Sequence, residues 1–279
     1  MATVGFVTHV ARDDAVMLEK EATRWLNERG HDGRPLLGPG PDYAPVEADL
    51  IQGLDLAVSL GGDGTMLRTV DLVSETDVPV LGVNVGHLGY LTEVEPDDLY
   101  VYLERWLDGD FGIERRTTID VTMERITGAL VSRSALNDVV LRSTRGAHAV
   151  QAGMDLSGEP FLTYVADALI VATPTGSTAY NLSARGPIAS PDIPALIVTP
   201  VAPHLLFDRS LVLSPDAEIR LSITDDEPAD VIIDGQRWAT LKPGATLRVT
   251  GGARDARIVS FGERHFHRTL KQKFNLADR

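Results

Sequence analysis

Asp63 stands between glycines in the run Gly61-Gly62-Asp63-Gly64-Thr65. Glycine leaves backbone N–H groups free to approach a ligand with no side chain in the way. The residues that follow, Thr65-Met66-Leu67-Arg68-Thr69-Val70, read as the start of a helix, and a helix N-terminus favours anions. Such a turn suits a polyphosphate. A carboxylate inside it would repel phosphate, so Asp63 must serve another purpose, accepting a proton or holding a metal ion. Thr65 and Arg68 are within reach of the same turn, Arg68 one helical turn in. No Gly-Lys-Ser/Thr follows, so this is not a Walker loop.

A second polar segment is Thr173-Pro174-Thr175-Gly176-Ser177-Thr178-Ala179-Tyr180, which leads into Asn181-Leu182-Ser183. A helix cap needs one hydroxyl. The four here are read as donors to ligand phosphates or ribose, with Tyr180 as a contact for a base. A serine hydrolase is excluded, because Gly-x-Ser-x-Gly is missing. Asn137-Asp138 interrupts an apolar stretch and marks a bulge, an edge or a site. Asp167 precedes the apolar run Ala168–Ala172. Asp234-Gly235 reads first as a hairpin turn. His148 and His204 are lone histidines, which are more often structural than catalytic.

The elements that must position these residues change character along the chain. Up to about residue 110, strands and helices alternate. Strands are expected at Thr3–Thr8, Arg34–Leu37, Leu54–Leu60 and Val78–Val83. Helices are expected from an Asp13 cap to Gly30, after Gly64, and over Pro96–Leu107. This alternation implies a parallel sheet with helices on both faces. From 111 to 261, short apolar runs separated by turns imply an antiparallel, all-β, sandwich-like domain. Its expected strands are Thr118–Met123, Ser134–Leu141, Ala168–Ala172, Ala195–Val198, Glu218–Ile223, Val231–Ile233, Thr246–Thr250 and Arg257–Phe261. Residues 262–279 read as a tail, helical or extended.

The 279 residues carry 40 acidic and 26 basic side chains, a formal charge of −14. Lysine occurs only at 20, 242, 271 and 273. An acidic surface that avoids lysine fits a salt-accumulating microbe, a halophilic archaeon being the expectation, where high salt screens self-repulsion. No basic stripe exists to neutralise nucleic-acid phosphates. No apolar run is long enough to span a membrane. The first residues lack the basic flank of a signal peptide, and there is no cysteine for a disulfide framework. A cytoplasmic protein is the expectation.

Taken in order, these segments resemble the NAD kinase family. The matching series is Gly61–Thr65, Gly82-Val83-Asn84-Val85-Gly86-His87-Leu88-Gly89-Tyr90-Leu91, Asn137-Asp138, Asp167, Thr173–Tyr180 with Ser183, Thr199–His204 and Asp234-Gly235-Gln236. The resemblance implies an α/β N-terminal domain over 1–110, a β-sandwich NAD-binding domain over 111–261, and a tail that returns to the first. It implies phosphoryl transfer from ATP, another triphosphate or polyphosphate to the adenosine-ribose 2′-hydroxyl of NAD. Asp63 would be the general base, and Gly61, Gly62 and Gly64 would face phosphates. Asn137, Asp138, Asp167, Thr178, Ala179, Tyr180, Asn181, Leu182 and Ser183 would hold NAD, with His148, Ala202 and Gln236 as further contacts. NAD would lie in a cleft reached by both domains and a neighbouring subunit of a homodimer or homotetramer. Mg²⁺ or another divalent ion would come mainly with the nucleotide, so no protein metal ligands are expected. Two departures stand out: Ala168 and Arg185 replace glycines usual in the family. A lipid kinase of the diacylglycerol or sphingosine type, which shares the Gly-Gly-Asp-Gly turn, is the alternative. A non-catalytic nucleotide-binding regulator is a weaker rival, because it would need no Asp63.

Overall fold

The computed structural model describes residues 1–9, 11–36, 48–86, 89–124, 128–146, 148–262 and 265–276. Leu37, His87 and Leu88, which belong to segments singled out above, lie outside the described residues. The chain divides into two compact units, Met1–Arg115 with Ala256–Arg279, and Arg116–Asp255.

The first unit begins with β1 (Thr3–Thr8), α1 (Asp13–Glu28), β2 (Asp32–Pro35), α2 (Ala48–Ile51), β3 (Leu56–Gly61), α3 (Asp63–Val73) and β4 (Val80–Asn84). It continues through a 3₁₀ turn at Pro96–Asp98 into α4 (Leu99–Leu107) and β5 (Gly112–Arg116). Proline at the head of that turn costs nothing, because its missing N–H would have had no helical partner. Asp13, expected to cap α1, is instead its first residue: Arg12 occupies the cap, and Asp14 accepts the N–H of Ala15 at 3.0 Å.

The second unit contains β6 (Ile119–Glu124), β7 (Leu130–Ala135), β8 (Asp138–Ser143), β9 (Val150–Leu156), β10 (Glu159–Ala166) and β11 (Ala168–Ala172). A 3₁₀ turn at Thr175–Thr178 and the one-turn α5 (Tyr180–Ser183) follow. Then come β12 (Leu196–Val201), β13 (Leu211–Leu213), β14 (Ile219–Ile223), β15 (Ala229–Ile233), β16 (Gln236–Leu241) and β17 (Thr246–Gly251). The chain re-enters the first unit through β18 (Ala256–Ser260) and ends with α6 (Phe266–Lys273).

The first unit's sheet has the order β2-β1-β3-β4-β18-β5. The pairs β1–β2, β1–β3, β3–β4 and β4–β18 are parallel. Its central strands are continuous apolar runs because both faces are covered. Val4, Phe6, Leu56, Val58, Leu60, Leu81 and Val83 pack with Leu26 of α1 and with Leu99 and Leu103 of α4. Two expectations need correction here. The strand near 257–261 does not belong to the β domain: β18 pairs with β4, Ile258 opposite Val80. β5 likewise lies in this sheet, so the division falls at 115 and 256 rather than at 110 and 262. Short apolar strands look alike in sequence whichever sheet receives them.

The second unit is a sandwich of two sheets, β10-β9-β14-β17-β6-β7 and β13-β12-β11-β8-β15-β16. Alternate residues of facing strands, including Ile119, Val121, Leu141, Val171, Leu196, Leu221 and Val249, form its core. The opposite face of the second sheet is buried as well: Val140, Ile170, Ala172 and Ile197 pack beneath Ala184 and Ala189. That explains why residues 139–141 of β8 and the whole of β11 read as unbroken apolar runs. The expected strand Ser134–Leu141 is in fact two strands. The chain leaves one sheet at Ala135 and joins the other at Asp138.

The two departures from the family pattern behave differently. Ala168 sits in regular strand pairing opposite Val201 and Arg142, where a methyl group is harmless. Arg185 follows α5 in the left-handed region, φ 64°, where a Cβ is strained. The turn therefore keeps the conformation that suits glycine and carries the strain of a side chain in it. Arg185→Gly is expected to raise the unfolding free energy by roughly 1 kcal/mol, measured by urea denaturation; a loss of stability would contradict this account.

Candidate active site

Three strand ends meet at the C-terminal edge of the first unit's sheet. β3 closes on Gly61, whose carbonyl accepts the N–H of Val85 at 3.2 Å just beyond β4. His9, just beyond β1, donates its N–H to the Leu60 carbonyl at 3.0 Å. Gly61 has no room for a side chain: an ideal Cβ would lie 2.3 Å from Thr65 Oγ1. Gly62 caps α3 in an extended conformation without a side-chain cap. A Cβ on Gly62 or Gly64 would meet nothing within 4 Å, so the space above the helix N-terminus is open. Thr65 is buried and Arg68 half-buried. Partial desolvation draws the Arg68 pKa down from the ordinary arginine value.

Asp63 opens α3, and both its carboxylate oxygens are held. Oδ2 accepts the N–H of Tyr90 at 2.8 Å, and Oδ1 that of Leu91 at 2.9 Å. Gly89 permits this closure, since a Cβ there would sit 2.2 Å from Oδ1. A carboxylate offers about four acceptor positions, so each oxygen can still accept a proton or a hydroxyl. In sequence the segment 82–91 is only a motif. Its role as the clamp on Asp63 leaves no sequence signal, because the partners lie 27 and 28 residues apart.

The second cluster lies at one end of the second unit's β13–β16 sheet, where β8 begins, β11 ends and the β15–β16 hairpin turns. Ala172 pairs with Asp138, and Ile233 with Val139. The crossover at 136–138 exposes three backbone N–H groups that no ladder serves. Asp234 accepts all three: Leu136 at 2.8 Å, Asn137 at 2.7 Å and Asp138 at 3.1 Å. Asp234 (φ 47°) and Gly235 (φ 76°) form the expected hairpin turn, with positive φ at both central positions. The turn reading is right but incomplete, since the carboxylate also builds the crossover.

The hydroxyl-rich segment is mainly a fastening. Thr173 donates its hydroxyl to the Leu136 carbonyl at 2.5 Å and its N–H to the Asn137 carbonyl at 2.8 Å. Its Oγ1 also accepts the N–H of Gly176 at 3.0 Å. A Cβ on Gly176 would lie 2.0 Å from the Asn137 carbonyl oxygen, so only glycine fits. Ser177 bonds both backbone groups of Ala189, and Thr178 donates to Thr175. Within this segment Thr175 alone keeps a buried hydroxyl without a partner. Asn181, expected to touch ligand, is fully buried. Its amide donates to Ser177 and Pro187, and its oxygen accepts from Thr199. Ala179 and Leu182 are half-buried, and Tyr180, Ser183 and Gln236 are exposed at this end.

Asp167, Ala202 and His148 are not part of this cluster. Asp167 precedes β11 and donates its N–H to Val201, next to Ala202. His148 lies just before Val150, whose partner is Ala166. Asp167 and Ala202 occupy the other end of the sheet, Asp167 roughly 20 Å from Thr173 at strand spacing, and His148 precedes β9 of the facing sheet.

Asp138 is the unusual acid of the second cluster. It is 4% exposed, and its pKa is raised to about 7 by burial first and by the Asp234 charge second. Between the ordinary 3.8 and about 7, the native state holds the proton more tightly than the unfolded chain. Stability therefore falls as pH rises through that window. Asp138→Asn is expected to raise Tm in the ligand-free protein, and by more at pH 8 than at pH 5. An equal shift at both values would refute the buried-acid assignment.

Comparison with known proteins bears on both clusters. Residues 43–111 match the ATP-NAD kinase N-terminal domain, and 136–261 the ATP-NAD kinase C-terminal domain. The NAD kinase of Heliobacterium modesticaldum is 40% identical over 98% of each chain. That of Geotalea daltonii is 35% identical over the whole of both. Among solved structures, an Archaeoglobus fulgidus NAD kinase in complex with ATP superposes with a TM-score of 0.75 at 25% identity, over 99% of each chain. Yeast NADH kinase shares the fold, with a TM-score of 0.88 at 24% identity over 100% of this chain and 89% of that one. These relatives lend the lipid-kinase alternative no support. The two sequence relatives are bacterial, so the expected archaeal source gains no support either. With both domain models matched in order and relatives aligned end to end, the chain belongs to the NAD kinase family, whose members are phosphotransferases.

Proposed function

We propose that this chain is a cytoplasmic NAD kinase that moves a phosphoryl group from ATP, another triphosphate or polyphosphate to the adenosine-ribose 2′-hydroxyl of NAD. The observation that carries the reading is Asp63, a carboxylate fixed at the head of α3 beside glycines that leave open space. In this reading Asp63 accepts the proton of the 2′-hydroxyl as that oxygen bonds to phosphorus and the donor's bridging oxygen leaves with its electron pair. The clamp from Tyr90 and Leu91 fixes the carboxylate's direction, so little reorganisation is needed on reaction. The N-terminus of α3 faces the phosphates.

Among the described residues, no three His, Cys, Asp or Glu side chains gather as a metal site. The lone carboxylate at an open turn fits an ion carried in on the donor's phosphates. When bound, Mg²⁺ would offset phosphate charge.

Asn137, Asp138, Thr178, Ala179, Tyr180, Leu182, Ser183 and Gln236 are assigned to NAD. Carboxylates accept from ribose hydroxyls and amide N–H groups, and they repel a new 2′-phosphate, which favours product release. Asn181 acts through the fold. Asp167 and Ala202, at the far end of the sheet, and His148, before β9 of the facing sheet, are assigned to the NAD bound by a second copy in a homodimer or homotetramer.

Asp63→Asn tests the reading. NADP formation from NAD and each donor is expected to fall at least a hundredfold, with circular dichroism and NAD affinity unchanged. Near-normal turnover would remove Asp63 as the base. The charge of −14 with four lysines supports a salt-adapted enzyme. Activity is expected to peak in molar KCl, and best activity in dilute buffer would exclude that adaptation.

A further inference from the structure

The first unit's strand order contains a reversal. From β1 the chain moves outward to β2, whereas from β3, on the other side of β1, it moves outward to β4. Open parallel sheets bind ligands at the carboxyl ends of the strands where the order reverses. Here that place lies between His9 and Gly61–Gly62.

Two side chains, His9 and Arg12, stand at this switch point. His9 lies against the turn, its Cβ 3.3 Å from where a Cβ on Gly61 would stand. Its Nδ1 is buried and has no hydrogen-bond partner. Arg12 leaves the segment after β1 and reaches Gly86, beyond β4. Its Nη1 is 2.3 Å from the ideal Cβ position of Gly86, whose φ is +136°. Gly86 directly follows Val85, whose N–H bonds the Gly61 carbonyl, so the guanidinium stands one residue from the group that joins β4 to this turn. Asp14 anchors it through Nε at 3.2 Å and Nη2 at 3.1 Å. That leaves Nη1, which lies against Gly86, outside the Asp14 pair. Arg12 in turn holds the Asp14 carboxyl below its ordinary pKa.

We propose that Arg12 and His9 form the seat for the terminal phosphates of the phosphoryl donor, with the Gly61–Gly64 turn as its floor. The ligand class is a triphosphate or a linear polyphosphate. A planar guanidinium fixed by a carboxylate on one edge offers its other edge to phosphate oxygens in a set direction. It also balances the repulsion that Asp14 and Asp63 would exert on the incoming phosphates. His9 adds a ring nitrogen whose hydrogen bond is otherwise unmade. The inference rests on the kinase reading for the direction of transfer, though not for the binding itself.

Calorimetry with a non-hydrolysable ATP analogue and Mg²⁺, on the whole protein without NAD, separates the two. Arg12→Ala is expected to weaken the analogue roughly tenfold or more. It should raise the donor KM to match and leave the NAD KM unchanged. Arg12→Lys should recover part of the loss, and His9→Ala should show a smaller loss in the same direction. Analogue binding unchanged in Arg12→Ala, or a loss confined to NAD, would overturn the proposal. Should Arg12→Ala fail to fold, Arg12→Gln and Arg12→Lys carry the same comparison. A wild-type protein that binds the analogue through Arg12 yet forms no NADP would refute the kinase reading and leave this seat in place.

Discussion

Two backbone N–H groups on one short loop decide where Asp63 points. The carboxylate sits at the N-terminus of α3, where a free side chain could turn among several rotamers. Tyr90 and Leu91 each take one oxygen. Hydrogen bonds to a charged acceptor are worth on the order of 1.5–3 kcal/mol each, enough to select one orientation. Everything nearby serves that clamp. Gly89 lets the loop close, Gly61 makes room for Thr65, and the parallel pairing of β3 with β4 brings the two segments together. The loop is also braced from outside, where the Lys273 ammonium of α6 lies 4.8 Å from the centre of the Tyr90 ring.

The second unit solves a related problem with the same kind of group. Where the chain crosses between sheets at 136–138, it leaves N–H groups with no strand beside them. Buried donors without partners are costly, and Asp234 satisfies three at once. Burial raises the pKa of the neighbouring Asp138, and the carboxylate that stabilises the crossover adds to that rise. One charge thus shapes the backbone and adds to the effect of burial on the acid beside it.

Local patterning makes most of the elements legible. β1 and β11 fall on the expected residues, and α4 ends where the apolar period ends. The Gly-Gly-Asp-Gly run announces a strand–turn–helix because glycines and a capping position leave a local trace. What stays hidden depends on distant partners. Nothing in Asp234-Gly235 tells that its carboxylate serves residues almost a hundred positions earlier. Nothing in Asn181 distinguishes a ligand contact from a side chain whose amide and oxygen are fully engaged in the fold. The hydroxyls at 173–178 read as donors to a ligand, yet Thr173, Ser177 and Thr178 bond backbone carbonyls. Composition cannot tell these uses apart, since a hydroxyl that fastens a turn and one that greets a phosphate are the same group.

The nesting of one unit within the other also constrains how the polypeptide can be assembled. β5 and β18 are neighbours in a single sheet, yet the whole second unit lies between them in the chain. Joining them directly would close a very long loop before any contact repaid its lost entropy. The inserted unit removes that obstacle if it forms first. Its two ends are tied together by Thr118, which donates its hydroxyl to the Arg254 carbonyl at 2.6 Å and accepts the Gly252 N–H at 2.8 Å through its own carbonyl. Once that knot exists, the outgoing and returning strands leave it side by side. The parallel sheet can then be the last part of the molecule to finish, completed only after the ribosome has released the C-terminal segment.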